Sequence, residues 1–479
     1  MKPRSGAVLA AVVTMIAALS PGTTEAATAY PRRLLYSTNS GMLVPGGTND
    51  GRHDTTTFAI QPSGTLTPYG APAPGVVSPR GIVFADDGRT AYVADSGGDT
   101  VAPFRVEPDG TLVPLSDPVP SGDLPFGIAV APNGRGVYVA HFNSADVTAF
   151  RVDEDGGLHQ FGPPVHTGQS HGKGVAVTPD SRFVYVATGT PIDQVPDAIV
   201  RFDLNPDGSI RARGPATPIG VSGSGIVITP DGQFVYVACQ GSDEVWGFRI
   251  EPDGALTQLP GLPILAPDFS EGAAIGPDGE FLYVTALGGQ QADEDGVYVF
   301  AIGDDGSLTQ VGDRIPTGDG PGAATTTADG KFVYISNFRS DDISAYRVLP
   351  TGRLEELPSS PYLTGGDGPA FGAVQLPPDE GPTARFSAVA NGRTVQFDAS
   401  GSTDPDGRVA RYDWDFGDGT VLQGGTARPR HVFRQSGTYS VTVTVTDDEG
   451  CSTRRVSFGQ SASCAGSPRA THTKTVAVE

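Results

Sequence analysis

Apolar and polar positions follow one another along this chain in a pattern that recurs seven times. Each copy has an aromatic residue, any residue, an aliphatic residue, three residues, a glycine, any residue and a second aliphatic residue. The aromatic members are Phe58, Phe104, Phe150, Phe202, Phe248, Phe300 and Tyr346, and subtracting their numbers gives steps of 46, 46, 52, 46, 52 and 46 residues. A constant step that is twice lengthened by the same increment indicates one repeated structural unit with two loop insertions.

Each repeat predicts four short antiparallel strands. In the second complete unit the runs Gly127-Ile-Ala-Val130, Gly136-Val-Tyr-Val-Ala140 and Asp146-Val-Thr-Ala-Phe-Arg-Val152 are separated by turns, and a last strand starts near Leu158. Glycines in these turns supply the positive φ angles that tight hairpins need. Four antiparallel strands in about 40 to 50 residues are typical of a β-propeller blade. A solenoid of stacked strands is the alternative, but it does not account for the ends of the repeat region.

The two ends of the repeat region complement each other. The first unit begins at Leu34-Leu-Tyr-Ser37, which matches the second strand of a blade and has no first strand before it. The segment Gly368-Pro-Ala-Phe-Gly-Ala-Val-Gln375 aligns with a first strand, Leu124-Pro-Phe-Gly-Ile-Ala-Val130. Pairing the two ends would close a ring of seven blades and remove open sheet edges that promote aggregation. The sequence thus predicts an all-β fold that contains a seven-bladed β-propeller with terminal strand closure, over residues 30–377.

Four segments of the repeats are similar to YVTN-type repeats. They are Tyr92-Val-Ala-Asp95, Tyr138-Val-Ala-His141, Tyr185-Val-Ala-Thr188 and Tyr334-Ile-Ser-Asn337. With the Pro-Asp-Gly turns and the Gly-x-Leu endings, they resemble the lactonase-family propellers, which include 6-phosphogluconolactonase and a muconate-cyclising enzyme. The resemblance covers roughly residues 30 to 377 and implies a seven-bladed propeller.

A linker rich in proline and acidic residues, 378–382, precedes a second region, 383–479. Strict alternation from Tyr439 to Val445 predicts a half-exposed strand, and Trp414 is the obvious core residue. Three segments of this region resemble a PKD (polycystic kidney disease) domain, an immunoglobulin-like β-sandwich found in many extracellular proteins. They are Phe397–Gly407, Tyr412–Gly419 and Tyr439–Asp447.

The N-terminus has the order of regions that a secretory signal requires. Lys2 and Arg4 precede an apolar run from Ala7 to Leu19 and then small residues, so residues 1–29 are predicted to be a signal peptide. A buried N-terminal helix is the alternative. The net charge of -22 and a pI near 4.6 disfavour nucleic acid and anionic membranes as partners. We therefore expect a secreted, extracellular protein.

The three cysteines are unevenly distributed. Cys451 and Cys464 lie close together in the last domain, where an oxidising compartment favours a disulfide between them. The segment between them is expected to be an extension stapled across a long hairpin. Cys239 lies in an apolar run and is expected to be a small buried residue.

Loop length indicates which face of the propeller carries function. The two six-residue insertions fall between second and third strands, at 189–197 and 287–295, and the first blade has a longer loop there, 40–54. Variable loops gathered on one rim of a rigid scaffold are where binding sites are usually built. Residues just before each first strand are expected to surround the channel mouth on this face. They are Arg80, Phe126, Lys173, Ser224, Glu271, Pro321 and Phe371.

The charged members of this mouth are the candidate site residues. Arg80, Lys173, Glu271, His141 and His171 could together polarise a carbonyl group and activate water, as lactone hydrolysis requires. Asp95 and Asn337, at the ends of second strands, are expected nearby, and we assign His141, Glu271 and Asp95 to ligand binding. The alternative is a solvated rim of mixed charge, because the chain shows no Ser-His-Asp arrangement or metal-ligand spacing.

The lactonase resemblance adds a role for one histidine. Family propellers share a Pro-His-x-His segment, which reads Ser170-His-Gly-Lys173 here, so that His171 matches one histidine and Lys173 replaces the other. The family's later Arg-His pair corresponds to Glu271-Gly-Ala-Ala274 and Pro321-Gly-Ala-Ala324. The resemblance points to His171, and if the chain is an enzyme we expect catalysis to depend on His171 together with the mouth cations Arg80 and Lys173.

The sequence leaves two classes of function open. A secreted binding or surface-associated monomer is favoured, with a carbohydrate, a small carbonyl or carboxylate compound, or an extracellular protein as its partner. A lactonase-like hydrolase is the alternative. Asp404, Asp406 and Asp447 could meet around Ca²⁺, but capping of turns is the favoured role for them, and neither a metal nor a cofactor is expected.

Overall fold

The computed structural model describes residues 33–40, 53–73, 76–189, 196–266, 269–288 and 295–479. These ranges lie within one compact unit, Pro31–Glu479. The predicted signal peptide, 1–29, lies outside the described residues, as do most of the first-blade loop and the tips of both inserted loops. No helix in the described part of the chain is long and apolar enough to cross a membrane.

The propeller consists of seven antiparallel sheets, one with four strands and six with five. In chain order, their strands are β1 (Leu34–Asn39), β2 (Asp54–Ile60) and β3 (Leu66–Pro68), with β34 (Pro369–Gln375); β4 (Pro79–Phe84), β5 (Thr90–Asp95), β6 (Thr100–Val106), β7 (Leu112–Pro114) and β8 (Val119–Pro120); β9 (Pro125–Val130), β10 (Gly136–His141), β11 (Asp146–Val152), β12 (Leu158–Gln160) and β13 (Val165–His166); β14 (Gly172–Val177), β15 (Phe183–Thr188), β16 (Pro196–Leu204), β17 (Ile210–Ala212) and β18 (Thr217–Val221); β19 (Gly223–Ile228), β20 (Phe234–Cys239), β21 (Glu244–Ile250), β22 (Leu256–Gln258) and β23 (Ile264–Leu265); β24 (Ser270–Ile275), β25 (Phe281–Leu287), β26 (Asp295–Ile302), β27 (Leu308–Gln310) and β28 (Ile315–Pro316); and β29 (Pro321–Thr326), β30 (Phe332–Asn337), β31 (Asp342–Val348), β32 (Leu354–Glu356) and β33 (Tyr362–Leu363).

The C-terminal region forms a two-sheet sandwich and a separate hairpin. One sheet contains β35 (Ser387–Asn391), β36 (Thr394–Asp398) and β39 (Arg430–Val432); the other contains β37 (Val409–Asp415), β38 (Val421–Gly425), β40 (Gly437–Asp447) and β43 (Thr471–Val478); and the hairpin is β41 (Val456–Ser457) with β42 (Ala462–Cys464). A 3₁₀ helix, Pro468–Ala470, precedes the last strand. Trp414 packs in the sandwich core, with its ring centroid 5.3 Å from that of Phe397.

The first and last strands of the propeller region share a sheet. β1 pairs antiparallel with β2 on one side and with β34 on the other. β34 therefore supplies the innermost strand of the first blade, which the chain does not provide before Leu34. Six of the second strands are buried along their whole length, as β10 illustrates, and in β25 only Phe281 is half-buried. Neighbouring blades cover both faces of these strands, which explains apolar runs such as Phe183-Val-Tyr-Val-Ala187.

A tyrosine in the second strand links neighbouring blades. In six blades its buried hydroxyl donates a hydrogen bond to the backbone carbonyl of a turn glycine in another blade. The pairs are Tyr36 with Gly110 (2.6 Å), Tyr92 with Gly156 (3.0 Å), Tyr138 with Gly208 (2.8 Å), Tyr185 with Gly254 (2.8 Å), Tyr236 with Gly306 (2.8 Å) and Tyr334 with Gly64 (2.8 Å). The repeated tyrosine and the repeated turn glycine thus belong to one interblade contact.

The linker, 378–382, is not the exposed connection that its composition suggests. Pro378, Asp379 and Pro382 are buried and the other two residues are half-buried. The backbone N–H of Asp379 donates to Ser463 O at 3.0 Å, and Ala465 N–H donates to Asp379 O at 2.9 Å. The linker is therefore held by the segment around Cys464.

Cys451 and Cys464 form the predicted disulfide, and Cys239 is free and buried, also as predicted. We term residues 451–464, which contain β41 and β42, the stapled hairpin. It packs against the propeller, where Arg455 forms an ion pair with Asp86. The sequence predicts the stapling but not this contact.

Candidate functional site

The predicted mouth residues occupy equivalent places in the blades. Five of them lie at the second position of an innermost strand rather than before it: Arg80 in β4, Phe126 in β9, Lys173 in β14, Ser224 in β19 and Glu271 in β24. The pairing register with the second strand shifts at each of these positions. Such a bulge changes the direction of a side chain and is common beside functional sites. Pro321 begins β29, and the side chain of Phe371 lies outside the described residues.

A glycine follows each of these five residues. The inner strands approach each other so closely that a Cβ at Gly225 would lie 2.6 Å from Ala273 N, and one at Gly127 would collide with the carbonyl of Lys173. Only glycine fits such a close backbone approach. The glycines therefore bring the mouth residues of neighbouring blades together around a narrow channel. This repeated glycine is a sequence signal for the mouth that the prediction did not use.

The mouth residues line a cavity of about 70 Å³. Phe126, Lys173, Ser224 and Glu271 contribute to its wall, together with the channel glycines. Gln460, from the stapled hairpin, lines the same cavity. Since a water molecule needs about 10 to 15 Å³ of such space, the cavity holds a few waters or one small polar group of a ligand.

Lys173 is a buried cation with defined partners. Its Nζ donates hydrogen bonds to Ser222 Oγ and Gln240 Oε1, both at 2.9 Å. Burial lowers the pKa of Lys173 below its usual range, and the nearby carboxylate of Glu271 opposes this effect. An ammonium group has three donor hydrogens, so the two hydrogen bonds to described residues leave one donor for a ligand.

Arg80 begins a stack of four side chains at the mouth. Its guanidinium lies 4.2 Å from the ring centroid of Phe126, which stacks on Phe142 at 5.7 Å. The ring of Phe142 stacks in turn on His171 at 4.2 Å. Burial lowers the pKa of Arg80 to about 10, against the influence of Glu271, so Arg80 remains a cation at neutral pH. Phe142 joins the two predicted site residues, although the sequence analysis did not single it out.

His171 is oriented by a backbone carbonyl. Its Nδ1 lies 2.7 Å from Phe142 O, so Nδ1 carries the proton in the neutral ring and donates this bond. Nε2 is then the basic nitrogen, and among the described residues it has no hydrogen-bond partner. His171 is only half-buried. The geometry leaves Nε2 able to accept a proton from water.

Glu271 faces the two cations as an acidic member of the site. Its Oε1 accepts a hydrogen bond of 2.6 Å from Ser224 Oγ. Its Oε2 is buried and has no hydrogen-bond donor among the described residues. Asp197 is buried as well and acts on the pKa of Lys173 in the same direction as Glu271, so the mouth combines two buried cations with two buried carboxylates. The ammonium and guanidinium groups can stabilise a ligand oxygen that carries or develops negative charge.

Two predicted ligand-binding residues have structural roles instead. His141 is fully buried: its Nδ1 donates to Asp146 Oδ1 at 2.7 Å, and its Nε2 accepts from Gly122 N–H at 2.9 Å. Asp95 is buried as well and accepts hydrogen bonds from backbone N–H groups, including that of Ser78 at 2.7 Å. Both residues fix loops at the ends of second strands, so we exclude them from the candidate site.

A second cluster of acidic groups lies beside the linker. One oxygen of Asp379 and one of Asp447 lie within 4.8 Å of each other, and both carboxyl groups are buried. Asp447 Oδ1 accepts from Cys451 N–H at 2.8 Å, in agreement with the predicted turn-capping role. Asp406 Oδ2 accepts from Glu380 N–H at 2.9 Å. Neither oxygen of Asp379 has a donor among the described residues.

The charges in this cluster disfavour ionisation. Burial, together with Asp406 and Asp447, raises the pKa of Asp379 to about 10. Burial also raises the pKa of Asp447 to about 7. Carboxyl groups in this situation are stabilised by protonation or by a cation with oxygen ligands. The sequence analysis singled out Asp404, Asp406 and Asp447 but not Asp379, which comes from the linker.

Comparison with known families agrees with this architecture. The family described as "Lactonase, 7-bladed beta-propeller" matches residues 51–166, 158–263 and 251–366. The chain belongs to this lactonase family. The PKD domain family matches residues 379–460. The chain is therefore a lactonase-family propeller followed by an immunoglobulin-like PKD domain, as the two resemblances imply.

Individual relatives match one domain or the other. The 6-phosphogluconolactonase of Enterobacter sp. (strain 638) is 27% identical over 186 residues, which cover 38% of this chain and 54% of that protein. Collagenase ColQ1 of Bacillus cereus (strain Q1) is 37% identical over 75 residues, 15% of this chain and 8% of that protein. The chain thus spans about half of one relative and less than a tenth of the other.

A solved structure shows the same propeller fold. The periplasmic gluconolactonase PpgL of Pseudomonas aeruginosa aligns with 72% of this chain and 98% of its own, with a TM-score of 0.58 and 21% sequence identity. At this identity the likeness concerns the fold alone.

Proposed function

We propose that this lactonase-family protein is an exported hydrolase that opens the ring of a lactone at the propeller mouth. The observation that carries the proposal is the arrangement of Arg80, Lys173 and His171, two buried cations and an oriented histidine with a basic Nε2. The family matches favour this hydrolase over the binding protein that the sequence analysis preferred. Membership in the family does not by itself assign a substrate.

The reaction would use each group for one task. His171 Nε2 accepts a proton from a water molecule, whose oxygen forms a bond to the lactone carbonyl carbon. Lys173 and Arg80 stabilise the negative charge that develops on the carbonyl oxygen. The ring C–O bond then breaks, and the protonated His171 returns its proton to the leaving oxygen. The product is a hydroxy acid, which loses a proton to solvent at neutral pH.

The mouth also limits the class of substrate. Arg80 and Lys173 favour a lactone with an acidic or strongly polar group, such as a lactone derived from a sugar acid. The predicted signal peptide supports an extracellular or periplasmic substrate rather than a cytoplasmic metabolite.

The experiment follows acid release from a panel of sugar-acid lactones and simple lactones with a pH indicator. The His171→Gln and Lys173→Met variants are compared with His159→Gln and Lys331→Met, which make the same changes at exposed propeller positions. We expect His171→Gln to lose about 10²- to 10⁴-fold in kcat/KM and Lys173→Met about 10²- to 10³-fold. Both controls should keep the parent rate.

Two results would oppose the proposal. Hydrolysis at the parent rate by both site variants would place the chemistry elsewhere. If the parent hydrolyses no lactone but binds sugar acids or glycans in a way that depends on Arg80 and Lys173, the mouth is a binding site and the protein is not a hydrolase.

A further inference from the structure

The tip of the stapled hairpin contacts the end of the channel opposite the mouth. Three consecutive residues of the tip each accept, through the backbone carbonyl, a hydrogen bond from the last residue of an innermost strand. The pairs are Phe458 O with Ile228 N–H at 2.9 Å, Gly459 O with Val177 N–H at 2.7 Å and Gln460 O with Val130 N–H at 2.8 Å. Three successive blades, with inner strands β9, β14 and β19, are thus capped by one segment of the PKD domain.

This contact is close and specific. Gly459 has a φ of +109°, and a Cβ at this position would lie 2.7 Å from the Cβ of Ala176. Ser461 Oγ donates to Gln375 Oε1 at 3.3 Å, which adds a contact to β34 in the first blade. A side chain larger than hydrogen at position 459 therefore cannot be accommodated without displacing the tip.

Gln460 connects the hairpin with the candidate site. It lines the same cavity as Lys173 and Glu271, which are residues of the mouth. Phe126 and Val130 are four residues apart on one strand, so the hairpin lies roughly 13 Å below the mouth. The hairpin therefore covers the lower end of the channel beneath β9, β14 and β19, and the Gln460 side chain lines the channel cavity there.

We propose that the stapled hairpin forms the floor of the propeller site and that Gln460 is a specificity-determining residue there. The cavity of about 70 Å³ that Lys173 and Gln460 both line admits one small polar group, of hydroxymethyl or carboxylate size. A ligand with a longer apolar substituent directed into the channel meets the Gln460 amide and is rejected. The selectivity rests on the proposed hydrolase function, whereas the floor itself does not.

The floor is tested first, without any ligand. Hydrogen exchange is measured at the amides of Val130, Val177 and Ile228 in the Gly459→Ala protein. The control is Gly419→Ala, another PKD glycine with positive φ (+87°), whose added Cβ meets nothing within 4 Å. We expect exchange at the three amides to rise about tenfold or more in Gly459→Ala only. Equal protection of the three amides from exchange in the two variants would overturn the proposal that the hairpin forms the floor.

Selectivity is tested with Gln460→Ala, which keeps Gly459 and the backbone contacts. Hydrolysis of δ-valerolactone is compared with that of δ-nonalactone, which carries a butyl chain, and Gln423→Ala on the exposed strand β38 is the control. We expect the ratio of kcat/KM values, long over short, to rise about tenfold in Gln460→Ala and to stay at the parent value in the control. An unchanged ratio in Gln460→Ala would overturn the role of Gln460.

If the parent hydrolyses neither lactone, the proposed function fails, and the ratio of the two Kd values from isothermal titration replaces the kinetic ratio. A tenfold change in that ratio would still support Gln460 as the selectivity residue. Binding of both lactones with the parent ratio, or of neither lactone, would overturn it.

Discussion

The hydroxyl of Tyr334 in the seventh blade donates a hydrogen bond of 2.8 Å to the backbone carbonyl of Gly64 in the first blade, 270 positions away in the chain. The same contact joins five other pairs of blades. Here it connects blades that are far apart in sequence, so it reports directly on how the two ends of the propeller region are held together.

We expect Tyr334→Phe to lower the free energy of unfolding by about 1 kcal/mol, because the carbonyl of Gly64 loses its buried donor. The control is Tyr283→Phe, at the equivalent position of the sixth blade, where the hydroxyl makes no hydrogen bond to the described residues. Chemical denaturation of both variants measures the difference. Equal stability of the two would mean that the Tyr334 hydroxyl does not stabilise the contact between the first and seventh blades.

Truncation tests strand closure and the hairpin floor separately. Deleting residues 369–375 removes β34 and should destabilise the whole propeller, because the first blade loses its innermost strand.

Ending the chain at Pro377 removes the PKD domain only. We expect this shorter chain to fold but to melt at a lower temperature, because Asp379 and the stapled hairpin pack against buried surface. If both truncated proteins melt like the full chain, strand closure and the docking of the PKD domain are both without effect on stability.

Much of the fold could be predicted because its signals are local and repeated. The spacing from Phe58 to Tyr346 defines the units, and glycine turns mark the hairpins within them. The alignment of Gly368–Gln375 with a first strand predicts the pairing of β34 with β1. Docking of the stapled hairpin has no such signal, because a contact between Gly459 and Val177 joins distant segments without a shared pattern. For the same reason, the composition of the linker did not show that Asp379 is buried.

The candidate site could be predicted only in part. Alignment of the repeats located Arg80, Lys173 and Glu271, since equivalent blade positions lie on one face. The alignment could not distinguish the role of His171 from that of His141, because the two histidines differ in the groups that surround their rings. The ring nitrogens of His141 are occupied by loop groups, whereas Nε2 of His171 has no partner among the described residues.

The N-terminus provides a prediction about export. We expect the mature protein to begin near Ala27 or Tyr30 and to occur outside the cytoplasm, because the first 29 residues have the order of charge, apolar and small-residue regions of a signal peptide. N-terminal sequencing of protein from the medium or the cell envelope checks this. An intact Met1 in that fraction would contradict the prediction.

The disulfide gives a prediction about thiols. Replacing Cys451 and Cys464 together by alanine should lower the free energy of unfolding by about 3 kcal/mol in the loop-entropy account, for a sequence separation of 13. Cys239 should resist maleimide in the native protein, because burial raises the pKa of its thiol and blocks access. Mass spectrometry after labelling counts the reactive thiols. Labelling of Cys239 at the rate of a surface thiol would contradict its burial.

The acidic cluster beside the linker should make stability depend on pH. The pKa of Asp379 is raised to about 10 and that of Asp447 to about 7, whereas an unfolded aspartate titrates near about 3.9. The folded state therefore binds more protons than the unfolded state between these values, so its stability falls as pH rises from about 4 through 7 and further towards 10. We expect Asp379→Asn to remove the part of this slope that Asp379 contributes.

At pH 8, Asp379→Asn should raise the free energy of unfolding by at least about 1 kcal/mol in a metal-free buffer, because folding then no longer requires the ionised Asp379 of the unfolded chain to take up a proton. At pH 4 the two proteins should differ little, because Asp379 is protonated in the folded state. Asp117→Asn, at an exposed position between β7 and β8 where the carboxylate has no partner among the described residues, is the matched control and should change neither value. Thermal melting at both pH values, with chelator and then with added Ca²⁺, measures the effect. Destabilisation by Asp379→Asn at pH 8 in chelator would contradict the argument, whereas Ca²⁺ stabilisation of the parent alone would show that a cation can take the place of the proton.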